Sequence, residues 1–314
     1  MDKENQKAYD KFPFCREDVL TNFECYSRKQ LKLYSSKRNF DLGKPHGGVS
    51  KLSPYLRRRL ISENEVLQIA LEKNTYLSLE KFIQEIFWRT YWRGWLEMRP
   101  NVYQDYLASS NETNFPGKTG IKCFDHWTEE LIETGYLHNH ARMWYASIWI
   151  FTLRKSWTSG ANFFKDYLLD WCPASNTLGW RWVAGLQTRG KIYSAKADNI
   201  KLFTNKKFFP KGELNECPFF DDDIWKTYES CPDISFENQN FPTDENIGLI
   251  LNKNDLTLNR YLSNKQIAFE GCIFYDPEYQ NSKSVSVQNF ERGLIDQLCL
   301  ELKNFHFCQN KKAL

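Results

Sequence analysis

Residues 139–182 read NHARMWYASIWIFTLRKSWTSGANFFKDYLLDWCPASNTLGWRW, and this stretch decides the fold. Its apolar residues recur at helical spacing over Arg142–Arg154 and again over Asn162–Leu169. Asp170–Gly179 carries Pro, Ser, Asn and Gly and reads as a loop that enters a last helix near Trp180. Six tryptophans fall within these residues, and ten of the chain's eleven lie between Trp88 and Trp182. A core does not need so many indoles, because Leu and Ile fill space without a buried N–H to satisfy. Clustered indoles instead suit stacking on a planar ligand, electron transfer, or both.

Working outward, the same periodicity continues toward the N-terminus. Leu52–Leu71 reads as a helix opened by Ser53-Pro54, and Leu79–Met98 as a helix ended by Pro100. The second carries Phe82, Ile83, Ile86 and Phe87 beside Trp88, Tyr91, Trp92 and Trp95. Apolar nearly all round, it is expected to be buried inside a bundle. Phe124–Gly135 reads as another helix with glycine at its C-terminus.

Composition shifts after Gly212. Residues 213–246 hold Pro218, Pro232 and Pro242 and read as an acidic linker or extended wrap. Residues 247–314 change in kind: buried-strand runs at Ile247–Leu251 and Ala268–Tyr275 precede an amphipathic helix at Val285–Leu302. The expected architecture is mainly α, a helical domain over 1–212, with a small α/β appendage at 247–314.

Hydrophobic content of 41% and charged content of 26% are those of an ordinary globular protein. The N-terminal MDKENQKAYD has no signal-peptide character, and no apolar run is long enough to span a bilayer. A cytoplasmic protein without membrane contact is expected, and a monomer. Nine cysteines at irregular spacing, with no CxxC pair, read as reduced thiols. His138 and His140 lack a third ligand for a metal, and none is expected. Gly117-Lys118-Thr119 is no P-loop, because Glu112 stands where the first glycine is needed.

Net charge is only +3, but unevenly spread. Arg181–Gly212 holds eight Lys/Arg against Asp198, whereas Glu216–Glu245 holds nine acids against Lys226. A basic strip beside an aromatic cluster is the footprint of a phosphate-bearing partner.

Gly48–Ser62, GVSKLSPYLRRRLIS, sets Ser50 and Ser53 before a helix start, where hydroxyls and free N–H groups can cradle phosphate. Then follow Glu85-Ile-Phe-Trp88-Arg89, Asn139-His-Ala-Arg142-Met143, Asp170, Asn176 and Gly179-Trp180-Arg-Trp182. In order and spacing these resemble the FAD-binding domain of the photolyase/cryptochrome family from about Tyr34 to Trp182. The resemblance implies FAD as cofactor. Tyr34, Ser50, Leu52 and Ser53 match its pyrophosphate segment, with Val49 where the family has a first hydroxyl. Arg142 and Asp170 match the ion pair beside the isoalloxazine, Asn176 the residue facing N5, and Cys172 stands in place of a second carboxylate. Glu85, Arg89, Asn139 and Phe164 complete the implied cofactor set.

The resemblance also implies damaged DNA, single- or double-stranded, as partner. Trp88 and Trp182 match aromatics that flank an extruded pyrimidine dimer, Glu85 the acid that hydrogen-bonds it, and Asn139 and Met143 the cyclobutane-dimer type. Arg38, Arg181, Arg189, Lys191 and Lys196 are the expected phosphate contacts. Trp180 and Trp157 match the first two members of an electron-transfer chain; for the third, Tyr103, Tyr106, Trp127 and Trp149 stay open. Ile247–Leu256 and Phe269–Glu278 resemble a fragment of the family's antenna domain, too short to hold its pigment, so no antenna chromophore is expected. The implied activity is light-driven, FAD-dependent repair of cyclobutane pyrimidine dimers by a carbon–carbon lyase. The alternative is a cryptochrome-like blue-light photoreceptor without repair.

Overall fold

The computed structural model describes residues 12–109, 116–231, 248–257, 271–275 and 284–302, with the backbone of 305–308. It is mainly helical. Helix α1 (Arg16–Lys29) has Glu17 and Asp18 in its first turn and Arg28 and Lys29 in its last, each complementing the helix dipole. A 3₁₀ turn at Leu31–Leu33 leads into the short α2 (Tyr34–Lys37).

The helix expected over 52–71 is two helices, α3 (Ser53–Arg57) and α4 (Glu63–Lys73). Arg59 between them takes a positive φ of 51°. Ser62 then restarts the helix through a capping box: its Oγ accepts the Glu65 N–H at 3.2 Å, and Glu65 Oε2 accepts the Ser62 N–H at 2.8 Å.

Helix α5 (Tyr76–Glu97) turns Leu79, Phe82 and Ile86 inward. Contrary to the expectation, it is not buried all round: Phe87, Trp88 and Tyr91 are 56%, 48% and 57% exposed. One stripe suffices to seat it, and the aromatic remainder faces a cavity mouth and solvent. Pro100, expected only as a stop, is the first residue of α6 (Pro100–Ser109), where its missing N–H costs nothing.

Helix α7 (Lys122–Thr134) ends as expected at Gly135, left-handed at φ 69°. Helix α8 (Asn139–Ser147) widens into a π turn over Ile148–Thr152, and α9 (Trp157–Tyr167) follows, capped by Ser156. Helix α10 (Pro173–Val183) begins inside the expected loop, because Cys172 is an extended N-cap and Pro173 occupies the first helical position. Helix α11 (Ala197–Phe203) completes the bundle.

Strands β1 (Gly248–Leu251), β2 (Gly271–Tyr275) and β3 (Phe305–Cys308) form one parallel sheet in that order. Helix α12 (Val285–Glu301) lies between β2 and β3 in the chain. Residues 247 and 268–270 of the expected strands, and Pro232 and Pro242 of the expected linker, lie outside the described residues.

Beside a small cluster of Leu96, Val102, Cys172 and Leu178, two large cores hold the described elements. One is built on Phe124, Trp127, Tyr145, Trp149 and Phe163 from α7, α8, the π turn and α9. The other joins Phe23, Tyr55, Ile61 and Phe82 to Leu249, Phe274, Phe290 and Leu294, so the α/β segment shares a core with α1, α3 and α5. The buried Arg58–Glu291 ion pair bridges the same contact.

Candidate functional site

A cavity of about 580 Å³ opens among α3, α5, α8, α9 and α10. That volume suits a sizeable organic ligand. Its wall collects Tyr34, Ser50, Leu52, Ser53, Glu85, Trp88, Arg89, Asn139, Arg142, Met143, Phe164, Asp170, Cys172, Asn176, Trp180 and Trp182. Residues 148 positions apart in sequence thus meet around one space.

The floor is set by Arg142. Its Nη1 and Nη2 donate to the two oxygens of Asp170 at 3.0 and 2.9 Å, and its Nε donates to the Leu137 carbonyl at 2.9 Å. Burial opposes ionisation of Asp170, but the Arg142 charge and hydrogen bonds, with the Ser53 hydroxyl and Arg89, outweigh it. The carboxyl is held below its usual range, and Arg142 is raised in turn. Ser53 is therefore engaged with Asp170 itself.

Nearby, Cys172 is buried among guanidinium groups. Burial would raise its thiol, yet Arg57 and Arg89 together with backbone N–H groups at the start of α10 bring it below the ordinary value. Burial pushes Arg57 down to about 10. Arg89 keeps Nε and an Nη buried without hydrogen-bond partners, and its ion-pair contact with Glu63 is loose at 3.9 Å. Three arginines against Asp170 and a thiol leave this wall cationic.

Asn176 donates one Nδ2 hydrogen to the Ala161 carbonyl at 2.9 Å, which leaves its oxygen and its second N–H for a ligand. Trp180 is buried with its Nε1 unpartnered, its ring edge-on to Phe164 at 5.1 Å and to Trp149 at 6.2 Å. Three other indoles are core members with satisfied N–H groups: Trp127 to Asp41, Trp144 to Asn199 and Trp149 to the Ser156 carbonyl.

At the mouth, Trp88 stands edge-on to Tyr91 at 5.2 Å, and Trp182 stacks on Tyr193 at 5.3 Å. Glu85 is ion-paired with Arg38. Beside them Tyr34 packs edge-on against Phe82, its phenol pushed up to about 12 by burial and the Glu85 charge. The loop that delivers Ser50 is anchored behind by His46, 2.5 Å from Glu130 and 3.5 Å from Asp41.

Other expected site residues lie elsewhere. Trp157 is not on this cavity; it lines a second one. Arg181, expected on the DNA-facing surface, is 6% exposed and donates to the Leu186 carbonyl at 3.0 Å, because it points from α10 into the protein. Part of the basic strip is met by the acidic wrap: Arg189 pairs with Asp222 at 3.0 Å, and Lys196 bonds the Glu216 carbonyl. Lys191 is exposed. Phe82, Ile86, Trp92, Ala146, Trp171 and Gly179 also line the cavity. Helical spacing could have found several of them, since Trp92 follows Trp88 by four, Ala146 follows Arg142 by four and Gly179 follows Asn176 by three.

The buried Arg–Asp pair under an aromatic-walled cavity, with an amide acceptor beside it, is a setting for a planar, hydrogen-bonding ligand. Residues 82–213 match the family model of the FAD binding domain of DNA photolyase. The chain is photolyase-like. It is 29% identical over 204 residues to a deoxyribodipyrimidine photo-lyase of Alkalihalophilus pseudofirmus, covering 59% of this chain and 41% of that protein. It is 32% identical over 175 residues to the Streptomyces griseus deoxyribodipyrimidine photo-lyase, covering 49% and 38%. The photolyase-like chain thus spans about two fifths of these relatives' length. The Synechocystis sp. PCC6803 cryptochrome structure matches 60% of this chain and 43% of its own, at TM-score 0.54 and 23% identity, a likeness of fold.

Among the described residues no helix is long and apolar enough to cross a membrane, and no group of three His, Cys, Asp or Glu could hold a metal ion. Among the described residues Cys15, Cys123, Cys172, Cys217, Cys231, Cys272 and Cys299 form no disulfide.

Proposed function

We propose that the central cavity holds FAD and that the protein repairs cyclobutane pyrimidine dimers with light. The observation that carries this reading is the bidentate Arg142–Asp170 pair, buried on the cavity wall with Asn176 and Trp180. The residues fit the cofactor. Arg89 on the cavity wall offers buried donors without partners to an anionic group such as pyrophosphate, with the Arg57 charge close to it. Ser50 and Tyr34 line the same cavity, and Arg142, Asp170 and Asn176 suit the polar edge of a flavin. When bound and reduced, FAD would supply the light absorption and the electron that splits the dimer.

The chain's own residues do the rest. Trp88 and Trp182 flank the mouth, where an extruded dimer can sit between rings, and Glu85 stands within it as hydrogen-bonding acid. Asn139 and Met143 line the space between mouth and floor. Arg38 orients Glu85 through their ion pair. With Arg189 and Lys196 of the basic strip engaged by the acidic wrap, single-stranded or loosened DNA, which costs less to open, is the favoured substrate.

The test is light-dependent dimer loss from defined single- and double-stranded oligonucleotides by the fully reduced, FAD-loaded protein. Repair on either strand form supports the reading. FAD uptake with no repair and no preference for damaged DNA would replace it with the cryptochrome-like photoreceptor. A protein that takes up no FAD would sink both.

A further inference from the structure

A second cavity of about 480 Å³ lies on the far side of α10, between α6, the π turn and the acidic wrap. Arg181 lines it, 6% exposed. One Nη donates to the Leu186 carbonyl, and the guanidinium lies 5.1 Å from the centre of the Tyr228 ring. Its Nε is buried without a partner. Among the described residues no carboxylate forms an ion pair with it. Asp105, on the same wall, is taken by Lys226 at 2.8 Å and Tyr228 at 2.9 Å. Asp221 accepts the Asp223 N–H at 3.0 Å. Burial weighs against the Arg181 charge more than Tyr228 and Asp105 favour it, and an anion in the cavity meeting the unused Nε would relieve that cost.

The same cavity has a redox-capable wall. Trp157 and Tyr106 both line it, stacked with centroids 5.7 Å apart and planes 29° apart. Trp157 begins α9. One turn on, at Gly160, the Trp180 ring rests on the helix backbone, and Trp180 lines the central cavity. Aromatic rings therefore lead from one cavity to the other across a single helical turn. Lys155 adds positive charge at the rim, while Lys226 is paired with Asp105.

We propose that this second cavity docks a small anionic reductant, paired with Arg181 and lying beside Trp157, that feeds electrons toward the central cavity. The proposal rests on the light-driven flavin reading above. One electron passes from the reductant to the oxidised indole of Trp157. The reductant is left as its one-electron-oxidised radical and loses its proton to water, and the indole returns to its resting state. When FAD is bound, its light-excited form would supply the oxidant that empties the indole by way of Trp180. Tyr106 shares the oxidised state with Trp157 through their stacked rings, and its phenol donates to Asn162 Oδ1.

Ascorbate is the probe. In the dark, equilibrium dialysis should show one saturable site on the protein. Arg181→Gln should weaken it about tenfold, the loss of one charge-assisted contact. Arg181→Lys, checked for an unchanged circular dichroism spectrum, should lie between. Under blue light, the rate of flavin reduction in the FAD-loaded protein should saturate with ascorbate at the dialysis midpoint. With neutral dithiothreitol it should rise linearly and ignore the Arg181 substitutions, whereas Trp157→Phe should slow both. No saturable ascorbate site, or affinity indifferent to both Arg181 variants, overturns the docking site. A photoreduction rate linear in ascorbate overturns its role as an electron port. Both results differ from failure of the flavin reading, in which no FAD is taken up while dark ascorbate binding persists.

Discussion

The six-membered ring of Trp180 lies directly on the backbone of Gly160. A β-carbon at position 160 would overlap Cη2 and Cζ3 of that indole, and would press on Trp149 Nε1 at 3.0 Å. Position 160 is in mid-helix, where glycine is otherwise unfavourable, so its use is to admit the ring. Gly160→Ala should destabilise the protein by about 1–3 kcal/mol through overpacking, read by urea denaturation. Trp180→Phe makes room, so the double variant should lose less than the two single losses summed. Trp180→Phe alone should keep FAD uptake and slow photoreduction; an unchanged rate would remove Trp180 from the electron path.

Arg142 and Asp170 hold each other and the cavity floor. Removing one partner strands the other charge in a buried site. Asp170→Ala should cost about 3–5 kcal/mol and should lower FAD occupancy in the purified protein. Asp170→Asn keeps the shape and one acceptor and should lose less of both. Thermal unfolding and the ratio of flavin to protein absorbance measure the two effects. Stability with occupancy unchanged in the alanine variant would place the flavin elsewhere.

Much of this site was legible because helical spacing puts its residues on shared faces. Asn139, Arg142 and Met143 fall on one side of α8, and Asn176 and Trp180 on one side of α10, once those segments are read as helices. The errors came from residues whose meaning depends on position. Pro100 and Pro173 both break a pattern in the sequence, yet each sits at a first helical position and starts a helix. Arg59 at positive φ gives no sign in composition, so the break between α3 and α4 was hidden. Exposure of Phe87 and Tyr91 was hidden too, because an aromatic face reads alike whether it meets a core or a cavity mouth. Arg181 read as a surface cation, and only the fold shows which side of α10 carries it inward.

His138 ends the loop before α8 and is 1% exposed, and its Nδ1 accepts the His140 N–H. Burial first, then the charges of His46, His140 and Arg142, lower its imidazole to about 3. The folded state therefore refuses a proton that the unfolded chain takes up below about 6.5. Stability is full above that value and falls as pH drops toward 3; at pH 5 the loss from this residue is about 2 kcal/mol. His126 and His140, also lowered by burial, act in the same direction. His138→Asn keeps an N-cap acceptor and removes the titration. Its unfolding free energy should vary less than wild type between pH 6.5 and 5, the upper part of the fall. Parallel pH profiles for the two proteins would refute the assignment.

Glu85 lines the central cavity and pairs with Arg38, and in the proposed function it hydrogen-bonds the lesion. If its role is in the chemistry, Glu85→Ala should lower repair yield per absorbed photon several-fold, with a smaller loss in affinity for dimer-containing DNA. Arg38→Ala should weaken repair in the same sense but less, since the acid stays while its orientation loosens. Quantum yield and fluorescence-anisotropy titration separate the two. Equal losses in yield and affinity would make Glu85 a binding residue only.

Arg58 and Glu291 pair at side-chain exposures of 4% each, and the Arg58 carbonyl also accepts the Leu256 N–H at 3.0 Å. One residue follows α3 on the wall of the central cavity; the other lies on α12 of the α/β segment. Phe290, next to Glu291, packs on Tyr55 of α3 with ring centroids 5.8 Å apart. The α/β segment is thereby tied to the helix that brings Ser53 to Asp170. Glu291→Ala leaves a buried guanidinium unpaired and should cost about 3–5 kcal/mol. Replacing both residues, Arg58→Met with Glu291→Leu, should restore most of that loss, because an apolar pair of similar volume avoids the desolvation of both charges. If the segment is energetically part of the bundle, Glu291→Ala should shift one cooperative transition and weaken FAD retention as well. If it is an independent unit, the variant should split unfolding in two and leave FAD retention as in wild type.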